Sequence, residues 1–103
     1  MNPFLELGVE PRICKAIEEL GFENPTDIQL KAIPIFLSQS SDLIALAQTG
    51  TGKTAAFGLP ILQNIQTENK GTQALIISPT RELCMQIAYE LKKYAKHLPS
   101  ISI

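Results

Sequence analysis

At 103 residues, with 45% hydrophobic and 18% charged side chains, the chain can form one small core and is too apolar to stay disordered. A formal net charge of −1 and an isoelectric point near 5.8 exclude a protein that holds nucleic acid by bulk positive charge. Any such contact has to come from a local patch.

The two cysteines, Cys14 and Cys84, lie far apart with no C-x-x-C spacing and no histidine nearby, which speaks against a zinc or redox motif. Buried free thiols in a reducing cytoplasm are expected. Residues 1–9 carry no basic segment followed by an apolar stretch, so no secretory signal is expected. The longest apolar runs, such as 43–47, are far too short for a bilayer, and no membrane partner is expected.

In chain order, Pro11 suits the first turn of a helix, where its missing N–H costs nothing. Ile13, Ile17 and Leu20 follow at helical spacing, and Gly21 supplies the stop. A second helix is predicted from Pro25-Thr26, capped by Thr26, with Ile28, Ala32, Ile33 and Ile35 along it and a bend at Pro34. Residues 38–42 read as a loop. Residues 43–46 form a short continuous apolar run, expected as a strand buried on both faces. A Gly/Thr-rich loop over 48–52 and a helix from Lys53 to about Gln66 come next. Lys70-Gly71 signals a turn. A second buried strand is predicted over 74–78, broken by Pro79. Thr80 then caps a long helix with Leu83, Ile87, Leu91, Tyr94 and Leu98 on one face. Ile101-Ser102-Ile103 resembles the start of a third strand. Strands alternating with helices predict an α/β fold, a parallel sheet flanked by helices. An ending inside an apolar run leads us to expect a piece of a larger, three-layer domain.

The strongest motif is Ala47-Gln48-Thr49-Gly50-Thr51-Gly52-Lys53-Thr54, set between a predicted strand and a predicted helix. Glycines allow the backbone to wrap closely enough that successive N–H groups face the phosphates of a nucleotide. A helix start adds free N–H groups and the positive end of its dipole. Lys53 supplies a point charge for the β- and γ-phosphates, and the Thr54 hydroxyl can join a magnesium shell. The general pattern begins with Gly; Ala47 is a departure of one methyl group. A phosphate loop names neither base nor reaction.

Two flanking segments do more. Gly21-Phe22-Glu23-Asn24-Pro25-Thr26-Asp27-Ile28-Gln29 resembles the Q motif of DEAD-box RNA helicases, with Phe4 upstream where that family places an isolated aromatic. The phosphate loop has the family's usual spelling, and Ser78-Pro79-Thr80-Arg81-Glu82-Leu83 looks like its motif Ia. The resemblance covers essentially the whole chain: a Q motif over about 2–30, a phosphate loop over 47–54 and motif Ia over 79–83.

That resemblance implies a P-loop NTPase, RecA-like fold, of which this would be the first part of the first motor domain, in an ATP-dependent RNA helicase of the cytoplasm. It implies that Gln29 reads the adenine edge, that Phe22 stacks on the adenine and that Phe4 supports the loop between them. Residues 47–54 would hold ATP or ADP with magnesium, Lys53 and Thr54 would serve catalysis, and Thr80 and Arg81 would contact RNA. From the residues alone, Phe22 reads as a core side chain and Gln29 as an exposed helical one. Lys92, Lys93, Lys96 and His97 complement the end of a helix dipole and carry no expected site.

Hydrolysis needs an acid on a later strand to hold magnesium and residues that orient water. After the phosphate loop the acids are Glu68, Glu82 and Glu90, none following a predicted strand, and Asp42 precedes its strand. The Asp-Glu-Ala-Asp segment is absent. We therefore expect no ATP hydrolysis and no unwinding from this chain alone. Two other readings stay open: a different P-loop enzyme, such as a small nucleotide kinase, and a non-catalytic piece that self-associates through an unpaired strand edge.

Overall fold

The computed structural model describes residues 2–38, 42–47 and 52–103. Five helices occur among them. The first, α1 (Pro3–Glu6), was not anticipated from sequence. The Asn2 side chain accepts the Phe4 N–H at 2.9 Å, and Pro3 fills the first helical position. One turn is enough to bury Phe4 completely.

Helix α2 (Pro11–Glu19) buries Ile13, Cys14, Ala16 and Ile17. It ends as predicted at Gly21, whose φ of 94° is left-handed. Gly21 N–H donates to Glu18 O at 3.0 Å and Phe22 N–H to Ile17 O at 3.0 Å, a Schellman pair that satisfies the last carbonyls. The same turn throws Phe22 back against the core.

Helix α3 (Asp27–Ser38) starts on a reciprocal capping box. Gln29 N–H donates to Thr26 Oγ1 at 3.4 Å, and Thr26 N–H donates to Gln29 Oε1 at 2.9 Å. Helix α4 (Lys53–Asn64) follows Gly52, a left-handed cap at φ 84°, and ends two residues short of the expected Gln66. Helix α5 (Arg81–Tyr94) is capped as expected by Thr80, whose Oγ1 accepts from Leu83 N–H at 3.1 Å.

Helix α3 packs on α4, α4 on α5, and α5 on α2. Ile13, Ile17, Ile33 and Leu59 are wholly buried between them, each contributing about 1.5–3 kcal/mol relative to exposure. Ile87, Leu91 and Tyr94 join this core as the apolar stripe of α5 predicts, while Leu83 remains 38% exposed. At Gly58 the α4 backbone comes so near α5 that an added Cβ would lie 2.6 Å from Leu91 Cδ2.

The expected strands are not present among the described residues. Residues 42–47 and 72–78 are neither helix nor strand, and 101–103 form no ladder. Ile44, Leu46, Leu75 and Ile77 are 88%, 92%, 79% and 85% exposed. A strand exists only through hydrogen bonds to a neighbour, and neither run has a ladder partner among the described residues. Within 74–78, Ile76 is half-buried and packs against the helical core. Cys84 also departs from expectation. Cys14 is buried, but Cys84 is exposed. Both thiols are free.

Candidate functional site

The site is built around the amide of Gln29. Its Nε2 donates to the carbonyl oxygen of Gly52 at 3.1 Å, while its Oε1 is held by Thr26 N–H. Only 2% of Gln29 is exposed, so the residue read from sequence as an exposed helical one is a fixed internal group. A carboxamide has two donor hydrogens and two acceptor lone pairs. Among the described residues, one of each is spent on the fold and one of each remains.

Gly52 is required there twice over. Its φ of 84° disfavours any side chain, and an added Cβ would collide with Gln29 Nε2 and lie 3.1 Å from Thr26 Oγ1. The end of the Q-motif segment and the end of the phosphate loop therefore meet in direct contact. Lys53 is exposed and Thr54 half-buried in the first turn of α4, where backbone N–H groups have no helical acceptor. Ala47 is half-buried. Gln48, Thr49, Gly50 and Thr51 lie outside the described residues.

Phe22 belongs to an aromatic cluster. Its ring centroid is 6.1 Å from Phe4 in a tilted pair and 5.9 Å from Tyr94 in an edge-on one. Phe22 is half-buried, whereas Phe4 and Tyr94 are buried. Burial, with Glu90 as a lesser cause, pushes the Tyr94 phenol up to about 12. Cys14 is likewise pushed up to about 11, first by desolvation and then by Glu18, while its Sγ–H donates to Val9 O at 3.5 Å. A thiol so raised stays protonated and unreactive at neutral pH.

Thr80 and Arg81 stand apart from the Gln29 group. Thr80 is the cap of α5, and Arg81 is exposed with no acid pairing it among the described residues. Ser78 Oγ–H donates to Thr80 O at 3.2 Å, which shapes the approach to the helix.

Gln63 was missed from sequence. Near the far end of α4 its Oε1 accepts Glu10 N–H at 2.9 Å and its Nε2 donates to Gly8 O at 2.9 Å. One amide thus grips the backbone on both sides of buried Val9. Helix α4 is held to the N-terminal segment at both ends, by Gln29 and by Gln63. No local pattern marks such a residue, because its partners lie 53 and 55 positions away. His97 was likewise read as a plain surface group. Its Nε2 lies 2.5 Å from Glu19 Oε1, with Lys96 Nζ at 3.4 Å, and holds the Glu19 carboxyl below its usual range.

A family model for DEAD/DEAH box helicases matches residues 26–103. The chain is 53% identical over 93 residues to the DEAD-box ATP-dependent RNA helicase CshA of Geobacillus kaustophilus, covering 90% of this chain and 20% of that protein. It is 54% identical over 93 residues to the ATP-dependent RNA helicase CshA of Limosilactobacillus reuteri, covering 90% and 18%. The chain thus spans about a fifth of the length of these relatives. Among solved structures, Dbp5 of S. cerevisiae bound to RNA and ADP BeF3 superposes with a TM-score of 0.88 at 33% identity, over 99% of this chain and 29% of that one. A DEAD box protein from Methanococcus jannaschii gives 0.84 at 46% identity, over 89% and 25%. The backbone therefore follows that of DEAD-box helicases although no strand forms among the described residues. On a family match that takes in most of its residues, together with half-identical relatives along 90% of its length, the chain belongs to the DEAD/DEAH box helicase family.

Proposed function

We propose that this chain is the nucleotide-binding and RNA-contacting opening part of a DEAD-box RNA helicase motor, which uses ATP to separate or remodel RNA. The observation that supports this is the hydrogen bond from Gln29 Nε2 to Gly52 O, which holds the Gln29 amide against the cap of α4. In this reading the unspent donor and acceptor of Gln29 face the adenine edge, and Phe22 offers its ring to the base. Residues 47–54 cradle the phosphates: the loop through Gln48, Thr49, Gly50 and Thr51 with its N–H groups, Lys53 with its charge. Thr54 at the start of α4 has the hydroxyl that fits a magnesium shell. Magnesium bound there would neutralise charge on the β- and γ-phosphate oxygens. Thr80 and Arg81 bind the RNA backbone and position a strand without reading its sequence.

The fold is that of a P-loop NTPase whose parallel sheet takes further strands beside residues 43–46 and 74–78. The acids that follow the phosphate loop are poorly placed to hold magnesium at a strand end, so the 103-residue chain alone neither hydrolyses ATP nor unwinds RNA. Two free cysteines fit a reducing, cytoplasmic setting. No helix among the described residues is long and apolar enough to cross a membrane.

Equilibrium titration with ATP, ADP and GTP tests the nucleotide assignment. Lys53→Ala weakens ATP and ADP alike, whereas Gln29→Ala erodes the preference for ATP over GTP. An unchanged base preference in Gln29→Ala sinks the adenine reading. A second reading, self-association through unpaired edges, is favoured by the exposure of Ile44, Leu46, Leu75 and Ile77. It does not compete with the first, since the exposed runs lie apart in sequence from Gln29 and Gly52.

A further inference from the structure

Helix α5 turns a cationic face to solvent, and this face has an aromatic at its centre. At about 100° per residue, Arg81, Met85, Tyr89, Lys92 and Lys93 fall within roughly a third of the helix circumference, opposite the buried Ile87 and Tyr94. Met85 is 66% and Tyr89 63% exposed, a large apolar area left open to solvent by the described residues. Arg81, Lys92 and Lys93 surround them, and Glu82 is the acid on the same arc. Glu90 lies on the flank nearer the core. In a chain with a formal net charge of −1, this is a local excess of positive charge. Lys93 Nζ sits 4.2 Å from the centroid of the Tyr89 ring, which fixes the ring by a cation–π contact and leaves its other face open.

We propose that this face binds single-stranded RNA, with an unpaired base stacked on Tyr89 and phosphates drawn to Lys92 and Lys93. The inference rests on the reading of Thr80 and Arg81 as a phosphate contact, which it extends along the helix. From Arg81 to Lys93 the rise is roughly 18 Å, so a strand entering at the N-terminus of α5 reaches Tyr89 without leaving the surface. Cations alone suit any polyanion. A flat exposed ring set among them suits the bases of an unpaired strand, which stack with little regard to sequence. Helix-dipole complementarity accounts for Lys92 and Lys93 but not for the exposed Tyr89 and Met85 beside them.

The test is fluorescence anisotropy of the 103-residue chain with a labelled oligouridylate, an RNA duplex of equal length and polyglutamate as a protein-like polyanion. The proposal expects Tyr89→Ala to weaken single-strand binding by about ten-fold or more, with Tyr89→Phe within about two-fold of the parent. Lys93→Ala should lower the salt slope of binding by about 0.7. The Tyr89 effect should vanish on the duplex, whose bases are already stacked. Tyr89 is exposed on a helix and alanine favours helix, so folding is preserved. If Arg81→Ala weakens binding but Tyr89→Ala does not, this proposal falls and the Thr80–Arg81 reading stands. If neither substitution matters, both fall. Failure of the parent chain to bind the oligouridylate, equal Tyr89 dependence on the duplex, or a stronger one on polyglutamate, overturns the proposal as well.

Discussion

Gln29 and Gly52, twenty-three positions apart, are joined by a 3.1 Å hydrogen bond from the side-chain amide of one to the backbone carbonyl of the other. Because the same amide also closes the capping box of α3, a single side chain ties the start of α3 to the cap of α4. Any group that moves Gln29 pulls on both helix ends. The Gly52 carbonyl and the Gln29 amide are therefore held together before any ligand is present.

This contact gives Gln29 a structural role separable from base recognition. Gln29→Ala removes the capping-box acceptor and one of the two donors to Gly52 O, which keeps its bond from Ala56 N–H, a loss of about 1–2 kcal/mol even with no nucleotide present. Gly52→Ala adds left-handed backbone strain of roughly 1–2 kcal/mol and expels the amide. The double variant should lose less than the sum, since the second change removes a bond already broken. Urea unfolding midpoints read all three, and strict additivity would show the two residues to be uncoupled.

Gly58→Ala sets helix propensity against packing. Alanine gains up to about 1 kcal/mol in a helix interior. Its Cβ, however, would stand 2.6 Å from Leu91 Cδ2 on α5. Overpacking of this kind costs about 1–3 kcal/mol, so the expected outcome is a net loss with a lowered melting temperature. A rise in melting temperature would mean that Leu91 can move aside at no cost.

The buried Tyr94 phenol makes stability fall at high pH. Its folded value is pushed up to about 12 from an ordinary 10.0, chiefly by desolvation. The unfolded chain loses this proton first, so stability is intact below the ordinary value and declines as pH rises toward 12. In a Tyr89→Phe background Tyr94 is the sole phenol, and its ultraviolet titration reads the shift directly. Ionisation at the ordinary value would show that the ring is not buried against Phe22.

The unpaired runs predict concentration-dependent association. Ile44→Lys and Ile77→Lys should shift the chain toward monomer in sedimentation without lowering its melting temperature, because both side chains are more than four-fifths exposed. Association unchanged by both substitutions would place the contact elsewhere.

Much of the local structure was legible because its causes are local. Thr26 and Thr80 cap the helices that follow them, Pro11 begins α2 and Gly21 ends it, each through bonds within a few residues. The phosphate-loop spacing and the flanking Q-motif and motif Ia segments identified the family for the same reason: they are continuous in the chain. The strands over 43–46 and 74–78 were read from apolar runs that are real, yet a run becomes a strand only when it pairs with another, and no ladder forms among the described residues.

Sequence alone therefore marked the starts of α2, α3, α4 and α5 and the end of α2, pointed to residues that could hold a nucleotide, and identified the family. Tertiary structure alone decided that Gln29 is buried against Gly52, that Gln63 grips Gly8 and Glu10, and that Phe22 leans on Tyr94. It also decided that Cys84 and the faces of both apolar runs stay open to solvent. Caps and turns are settled by hydrogen bonds a few residues long. Contacts across 23 or 55 positions exist only once packed helices have met the entropy cost of bringing those segments together.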